Sequence, residues 1–491
     1  MPSSRPERTS SRQNHNQTRP AIVWFRDDLR LADHPALHEA VASGRPLICL
    51  YVLDDVTPAL HPAGAALRWW LHGALADLRA QLESRGGTLL TLAGSAEELL
   101  PQLARHMDVA SVHWHHRLHE RERAQDDRIR QALEQQGCEV RAHWGTVLLD
   151  PGLVRTKQGG FYKVCGSFWK ALQTHAVPEP LGIPDMASFQ DVPGSVLPDV
   201  RLNEADLCPQ APDWAAGFRK TWEPGEAEGQ EHLEDFLKDA VAEYPRGRDR
   251  VAEEGTSRLS PYLASGAVSP RQVWAALQKH GAHTDGPRIF LSELGWREFA
   301  RYTLYHLPQL PFENLSPKFS GMHWRNSAAD LKAWQRGQTG VPIVDAGMRQ
   351  LWQTGWMHNR ARMIVGSFLT KHLLIDWKEG EAWFRDTLVD ADFASNAMNW
   401  QWVAGTGIEA TPFFRIFNPT RQAEKFDPEG DYIRQWVPEL RRLSGKALLE
   451  PWAAKDADLR QGGVILGRTY PCPIVDLKEG RDRALQAFRA L

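Results

Sequence analysis

Short apolar runs alternate with longer amphipathic stretches in the first third of the chain. Between the runs, apolar residues recur at helical spacing, most clearly over 65–84. Strands that alternate with helices favour a parallel sheet with helices on both faces. We therefore predict a doubly wound, Rossmann-like α/β domain over 20–150. The runs of strand length are 21–25, 46–53, 88–94, 109–114 and a last one near 139–143.

The pattern changes after this domain. Nine prolines interrupt the periodicity over 151–230, which predicts a linker with one or two short helices, such as 168–175. From residue 231 the strand signals stop, so we predict an all-helical domain over 231–470. Residues 1–19 are expected to form a disordered tail and 471–491 a C-terminal tail. The helical segments include 231–243, 270–280, 287–306, 327–336, 341–354, 356–374 and 379–388.

Composition and charge exclude several classes of protein. The 491 residues carry a net charge of −3, so any binding of nucleic acid has to come from a local positive patch. No apolar run approaches the roughly 18 residues of a membrane span, and the polar first twenty residues lack a secretory signal. Five scattered cysteines without a Cys-x-x-Cys pair argue against disulfides and iron–sulfur clusters. We expect a cytoplasmic protein.

The stretch "FLSELGWREFARY" places an acid, an indole and a guanidinium on one helical face. Glu293, Trp296 and Arg297 stand at i, i+3 and i+4. Such a stripe is not a core face and indicates a binding site. A surface ion pair beside a partly buried Trp would give the same pattern.

A second helical face occurs in "GWMHNRARM". Trp356, Asn359 and Met363 are spaced at i, i+3 and i+7, with Arg360 and Arg362 beside them. The arginines could bind phosphate groups. The alternative is a core stripe that contains one hydrogen-bonded Asn.

The stretch "DADFASNAMNWQWVAGTG" combines acids, an amide and two indoles. If it is helical, Asp392, Asn396 and Trp400 follow one stripe at i, i+4 and i+8. Trp402 is then roughly 200° around the helix from Trp400. The two indoles should therefore have separate roles.

A hydroxyl-rich segment, 254–266, lies at a predicted helix start. Thr256, Ser257 and Ser260, together with backbone N–H groups, could hold a phosphate, although a plain helix cap is the alternative. The motif "GTGIEA" at 405–410 has the spacing of a dinucleotide fingerprint. It follows no strand, so we assign it no function.

Four histidines cluster in "VHWHHRLHE": His113, His115, His116 and His119. No Cys or acid completes a known zinc spacing around them. We read them as solvated residues at the end of a strand and predict no metal site.

Taken together, these motifs resemble the photolyase/cryptochrome family, and most closely its cyclobutane pyrimidine dimer photolyases. The resemblance implies an N-terminal α/β antenna domain and an all-α domain that binds a U-shaped FAD. It implies a carbon–carbon lyase in which excited FADH− donates an electron to a thymine dimer flipped out of DNA. Two C–C bonds then break and the electron returns. The matching stretches are 23–37, 254–272, 293–302, 340–363, 390–407 and 412–440.

The resemblance also assigns roles to individual residues. The flavin would be held by Tyr244, Thr256, Ser257, Leu259, Ser260, Glu293, Arg297, Trp356, Asn359, Arg362, Asp390, Asp392 and Asn396. The dimer would contact the catalytic residues Glu293, Trp296, Asn359, Met363 and Trp402. Electrons that reduce the flavin would pass through Trp400, Trp377 and Trp324, although the last two could be core-filling residues. DNA phosphates would bind Arg360, Arg415 and Lys425.

Two departures from the family pattern affect the expectations. Phe290 stands where many bacterial members have Trp, which weakens the assignment of that cavity edge. His119 and Glu120 replace the Asn-Glu pair that some folate-binding members use. We expect methenyltetrahydrofolate as the antenna chromophore, with a deazaflavin or an empty site as alternatives.

Two other functions within the family remain open. A cryptochrome photoreceptor is the first, but the chain keeps Trp296, Met363 and Trp402, which signalling members often lose. Repair of six-four photoproducts is less favoured, because animal-type enzymes of that class place His at positions 359 and 363. The expected partner is UV-damaged DNA in the bacterial nucleoid. We expect a monomer without an obligatory protein partner or a membrane.

Overall fold

The computed structural model describes residues 18–57 and 62–491. The predicted disordered tail, 1–19, lies outside the described residues except for its last two positions. Arg19 donates hydrogen bonds to the carbonyl oxygens of Asp108 and Val109, at 3.1 and 2.9 Å. No helix in the described ranges is both long and apolar enough to cross a membrane.

A five-stranded parallel sheet forms the N-terminal domain, as predicted. Its strand order is β3-β2-β1-β4-β5, and every neighbouring pair is parallel. The strands are β1 (Ala21–Phe25), β2 (Leu47–Leu53), β3 (Leu89–Ala93), β4 (Ser111–His115) and β5 (Glu139–His143). The helices between them are α1 (Pro35–Ala42), α2 (Ala65–Glu83), α3 (Ala96–His106) and α4 (Glu120–Glu134).

Both faces of the central strands are buried, which explains why β1 and β2 carry apolar side chains at every position. Val23 and Phe25 of β1 point to one face and pack in the same core as Leu75 of α2. Ile22 and Trp24 point to the other face and pack in the core that includes α3 and α4. A parallel sheet with helices on both sides produces this pattern.

The connection that follows contains little regular structure. It holds α5 (Cys165–Leu172), which begins and ends three residues earlier than predicted, and the single turn α6 (Phe218–Thr221). Two isolated bridges, Leu47 with Phe189 and Leu92 with Arg201, attach the connection to the sheet.

Helices make up the rest of the chain. The first six are α7 (Glu226–Asp235), α8 (Tyr244–Gly247), α9 (Ser260–Ser265), α10 (Pro270–Gly281), α11 (Asp285–His306) and α12 (Ala328–Gln335). The next four are α13 (Pro342–Thr354), α14 (Asn359–Ser367), α15 (Trp377–Thr387) and α16 (Phe393–Ala404). The last are α17 (Pro419–Phe426), α18 (Asp431–Trp436), α19 (Gly445–Leu449), α20 (Asp456–Gly462) and α21 (Leu477–Arg489).

Three predicted segments differ from the observed structure. The helix predicted at 231–243 is α7, which begins at Glu226 and continues as a π-helical turn, Phe236–Ala240. The segment predicted at 356–374 begins only at Asn359, because His358 caps α14 by accepting a hydrogen bond from the N–H of Arg360. It then continues as a π-helical turn, Phe368–His372. The segment predicted as a C-terminal tail contains α21, whose Ala484 is fully buried against a cluster that includes Phe413. This helix was not predicted, because most of its residues are polar and only a narrow stripe of it is apolar.

Buried polar contacts join the two domains. Asp33, which precedes α1, forms an ion pair with Arg271 of α10 at 2.8 Å. Arg30 donates to the carbonyl oxygens of Gly145 and Gly266, both at 2.8 Å. The Glu226 carboxylate accepts the N–H of Leu31 at 2.7 Å. Because these groups are buried and satisfied, they fix the cleft between the domains.

Candidate active site

A cavity of about 250 Å³ opens between α14, α15 and α16. It gathers residues that the sequence places far apart, from position 260 to position 403. The predicted site residues on its wall are Ser260, Trp356, Asn359, Arg362, Met363, Asp390, Asn396, Trp400 and Trp402. The structure thus brings together the polar residues and the aromatic residues of three separate motifs.

Helix α16 presents the amide of this cavity. Asp392 caps the helix by accepting the N–H of Ser395 at 2.7 Å, and Asn396 lies one turn later. The Nδ2 atom of Asn396 donates to the backbone oxygen and to Oε1 of Glu381, at 3.1 and 2.9 Å. Its Oδ1 atom therefore points away from Glu381. Burial raises the pKa of Glu381 above its usual value.

Two ion pairs hold the acids of this segment. Arg362 donates to Asp390 at 2.7 Å, and Arg301 of α11 donates to Asp392 at 2.5 Å. The Oδ1 atom of Asp390 is buried and has no hydrogen-bond partner among the described residues. A ligand that carries an N–H group would satisfy this oxygen.

The two indoles of α16 lie in different surroundings. Trp400 is only 3% exposed and packs edge-on against Phe384 and Trp334, with ring centroids 4.9 and 6.1 Å away. Trp402 is half-buried on the cavity wall. Trp377 is fully buried, and its indole N–H donates to Asn314 at 2.8 Å.

Glu293 and Arg297 of the predicted stripe do not pair with each other. Glu293 pairs with Arg248, at 2.7 Å. Arg297 instead donates to Glu298 at 2.6 Å and to the carbonyl oxygens of Thr146 and Leu263. Burial lowers the pKa of Arg297 to about 10. Arg297 therefore holds the two domains together, while Glu293 stays beside a cation.

The hydroxyl-rich loop differs from a plain helix cap. The cap position of α9 is occupied by Leu259, so none of the hydroxyl side chains caps this helix. Arg258 adopts a left-handed backbone conformation with φ 52°, which turns the loop before the helix. Ser260 Oγ accepts the indole N–H of Trp356 at 3.2 Å. Thr256 and Ser257 are half-buried in this turn.

Comparisons with known proteins identify the family. Residues 21–185 match the family described as DNA photolyase, and residues 290–490 match the FAD binding domain of DNA photolyase. A deoxyribodipyrimidine photo-lyase of Agrobacterium fabrum is 47% identical over 97% of this chain and 98% of its own length. The chain belongs to the photolyase/cryptochrome family. This confirms the resemblance and the fold class that the sequence predicted.

Two further members of the photolyase/cryptochrome family are similar to this chain over most of its length. Cryptochrome-1 of Arabidopsis thaliana is 34% identical over 95% of this chain and 70% of its own length. The crystal structure of a bacterial class III photolyase from Agrobacterium tumefaciens superposes with a TM-score of 0.91. That protein is 46% identical, and the match covers 96% of this chain and 98% of that one.

The cavity of this family member fits FAD. The unpartnered Asp390 oxygen suits a ring N–H, and Arg362 and Ser260 lie on the same wall. Tyr244, another predicted flavin residue, is buried against Phe290 with ring centroids 5.1 Å apart. Phe290 thus packs in the core beside the site and is not an open cavity edge.

A second cavity lies in the cleft between the photolyase domains. It is lined by Asp27 after β1, His115 and His119 around the end of β4, and Asp392 and Asn396 of the helical domain. The carboxyl ends of β1 and β4 meet where the strand order reverses, which is the usual ligand site of such sheets. Of the predicted antenna pair, His119 lines this cleft and Glu120 is exposed at the start of α4.

The interpretation of the four clustered histidines as solvated residues is wrong for three of them. His113, His115 and His119 are 2 to 3% exposed, and are not solvated. Helix α1 covers this face of β4, a contact that the local sequence did not reveal. His115 Nδ1 lies 2.6 Å from the buried Asp28 carboxylate.

The three predicted DNA-binding cations differ in their surroundings. Arg360 forms an ion pair with Asp249 at 2.6 Å and is mostly buried. Arg415 and Lys425 are exposed. Phe414, beside Arg415, is 65% exposed, an unusual position for a large apolar side chain.

Sequence reasoning missed several partners of the site residues: Arg248, Arg301, Gly380, Glu381 and Phe384. Gly380 allows Trp400 to approach α15, because a Cβ there would lie 2.1 Å from the indole ring. A glycine inside a helix was the one signal available in the sequence.

Proposed function

We propose that this protein is a light-driven deoxyribodipyrimidine photo-lyase that splits cyclobutane pyrimidine dimers in DNA. The observation that carries the proposal is the composition of one cavity. Its lining offers Asp390, Arg362 and Asn396 to a flavin, and Asn359, Met363 and Trp402 to a flipped pyrimidine dimer.

The side chains have separate roles that follow from their chemistry. FAD held by Asp390, Arg362 and Asn396 would, when reduced and excited by light, supply electron-transfer chemistry to the dimer. Asn396 places a neutral amide beside the ring, since the reduced flavin carries negative charge that a carboxylate would repel. Glu293 hydrogen-bonds the dimer carbonyls, and Arg248 keeps it oriented at 2.7 Å. Trp296 and Trp402 provide apolar faces for the flipped bases.

The remaining tryptophans are proposed to carry electrons inward. Trp400 lies on the cavity wall and Trp377 in the core. Trp324 is half-buried and packs against two apolar clusters, so it can complete the path toward the surface. Indole is among the most easily oxidised side chains, which suits this role.

DNA is proposed to bind at the mouth of this cavity. Arg415 and Lys425 supply exposed positive charge, so binding should weaken as salt concentration rises. The exposed Phe414 lies in the loop after Trp402 and can fill the space that the flipped bases leave. Arg360 reaches DNA only if its pairing with Asp249 opens.

We further propose an antenna chromophore in the cleft between the domains, with methenyltetrahydrofolate as the first candidate. His119 and the exposed Glu120 would contact it. The supporting observation is a cleft at the reversal of strand order. Absorption spectra of the purified protein, before and after release of its cofactors, will show whether a pterin, a deazaflavin or no second chromophore is present.

The proposed enzyme works as a monomer on DNA in the bacterial cytoplasm. A cryptochrome function is the second candidate, favoured by the 34% identity to the plant protein. Asn359, Met363 and Trp402 on the cavity wall favour repair, as does the presence of Glu293 and Trp296, because a photoreceptor has no need of a cavity for a flipped pyrimidine dimer.

Repair of defined oligonucleotides tests the proposed function. The FAD-loaded, reduced protein is illuminated with DNA that carries one thymine dimer, with a six-four photoproduct as the comparison and a dark sample as the control. We expect intact thymines only from the dimer and only in light. Flavin photoreduction without repair would overturn the proposal in favour of a cryptochrome.

A further inference from the structure

A cluster of ligand-type side chains lies on the α/β domain and does not line either of the two cavities described above. It consists of Glu39 in α1, His113 in β4 and His143 at the end of β5. One ligand atom from each residue lies within 4.8 Å of the other two. His143 Nε2 is 2.8 Å from Glu39 Oε2. The two imidazole rings are nearly parallel, at 12°, with centroids 6.2 Å apart.

His113 has the features of a ligand. Its side chain is only 3% exposed, and Nε2 lies 3.0 Å from Ser111 Oγ. Nδ1 is buried without a hydrogen-bond partner among the described residues. When Nε2–H donates to Ser111, Nδ1 carries the free lone pair, which is how metal-ligating histidines are oriented.

We propose that Glu39, His113 and His143 bind one divalent transition-metal ion, of which Zn²⁺ fits best. Two imidazoles and one carboxylate form a donor set that proteins use for zinc. The side chains of Glu39 and His143 are 43% and 18% exposed, so water can supply the fourth ligand. The ion would join α1 to the two strands at the edge of the sheet.

A neighbouring cluster of the same residue types differs from the proposed metal site in the contacts of its ring nitrogens. Asp28, His34 and His115 are also close together and buried. In that cluster His34 Nδ1 accepts the N–H of Leu37 at 3.0 Å, and His115 Nε2 accepts the N–H of Ala36 at 3.5 Å. The other ring nitrogens therefore carry protons directed at Asp28. His34 Nε2 and His115 Nδ1 lie 3.4 and 2.6 Å from the same Asp28 oxygen, so both ring nitrogens of each histidine face a protein group.

Arg141 competes with the proposed ion. Its Nε lies 3.8 Å from Glu39 Oε1, while its other end pairs with Glu139. A bound ion would displace this contact, and the remaining positive charge would weaken binding. Replacing Arg141 with Ala should therefore increase the affinity for Zn²⁺, a result that a purely structural Glu39–His143 contact does not predict.

Metal binding to the full-length, flavin-loaded protein tests the proposal. The protein is freed of metal by a chelator and titrated with Zn²⁺ in a calorimeter, and its melting temperature is measured with and without Zn²⁺. Co²⁺ serves as a spectroscopic probe, read at wavelengths beyond the flavin absorption. The variants are His143→Ala and Glu39→Gln, which change exposed or half-buried side chains. His106→Ala, an exposed histidine on α3, is the matched control.

We expect wild-type protein and His106→Ala to bind one Zn²⁺ and to melt at a higher temperature with it. His143→Ala and Glu39→Gln should each lose at least about ten-fold in affinity and most of the rise in melting temperature. The proposal is overturned if the wild-type protein binds no Zn²⁺ at this site. It is also overturned if His143→Ala binds the ion as tightly as His106→Ala does.

Discussion

The ion pair between Arg301 and Asp392 should be the strongest polar contact that holds the start of α16, the helix whose Asn396 lines both cavities. Arg301 lies on α11 and Asp392 caps α16, and their atoms are 2.5 Å apart. The two side chains are only 7% and 14% exposed. The same helix carries a matched surface pair, Arg288 with Asp285, at 2.9 Å and 60% and 81% exposed.

The expected effects of removing each arginine differ in size. Arg301→Met leaves the Asp392 carboxylate buried without its partner, which costs about 3–5 kcal/mol. Arg288→Met removes a pair in water and should cost less than about 1 kcal/mol. The double variant Arg301→Met with Asp392→Asn removes both charges and should recover part of the loss.

The pH dependence has a defined sign. Burial opposes ionisation of Asp392, but the attraction of Arg301, and then of Arg297, outweighs it, so the pKa of Asp392 lies below its usual value. Its contribution to stability is thus present above the pKa of the unfolded chain and lost as pH falls through the lowered folded-state pKa. The difference between wild type and Arg301→Met should therefore shrink in acid.

Urea unfolding measures this prediction, followed by tryptophan fluorescence and by release of the flavin. We expect the midpoint of Arg301→Met to fall well below that of Arg288→Met near neutral pH, and the gap to narrow as the pH is lowered. Equal midpoints for the two single variants would refute the reasoning that this buried pair holds α16 in place.

Three further predictions concern the tryptophan side of the cavity. Trp400→Phe should slow light-driven reduction of the flavin and leave repair by chemically reduced protein unchanged; loss of both in a folded variant would contradict the electron-transfer role. Gly380→Ala should lower stability by about 1–3 kcal/mol in thermal unfolding, because the new Cβ would lie 2.1 Å from the Trp400 ring. Gly166→Ala, which meets no atom within 4 Å, is its control and should be neutral or stabilising. Glu381→Leu should speed flavin dissociation, because Asn396 loses its 2.9 Å bond, whereas Glu381→Gln, which can still accept that bond, should not.

Local patterns were sufficient to predict most of the fold. The strand at 21–25 was predicted at its observed bounds, because continuous apolar runs of that length occur where both faces of a sheet are covered. The helix over 341–354 was one residue longer than α13, which ends where Gly355 adopts a left-handed conformation with φ 68°. Such signals are carried by neighbouring residues and need no tertiary information.

The polar partners of the site could not be predicted in this way. Glu293 pairs with Arg248, forty-five positions earlier, and not with Arg297 one turn away. The buried state of His113 depends on α1, and the break before α14 depends on a cap by His358. Each of these contacts forms only when separate elements pack, so the sequence shows the residue types without their pairing.

A crystal structure of the FAD-loaded protein with a thymine-dimer oligonucleotide, grown in the dark, tests the central claim most directly. We predict the flavin ring against Asp390 and Asn396, and the flipped dimer in the same cavity against Asn359, Met363 and Trp402. A flavin bound elsewhere, or a dimer that remains stacked in the duplex, would contradict the account.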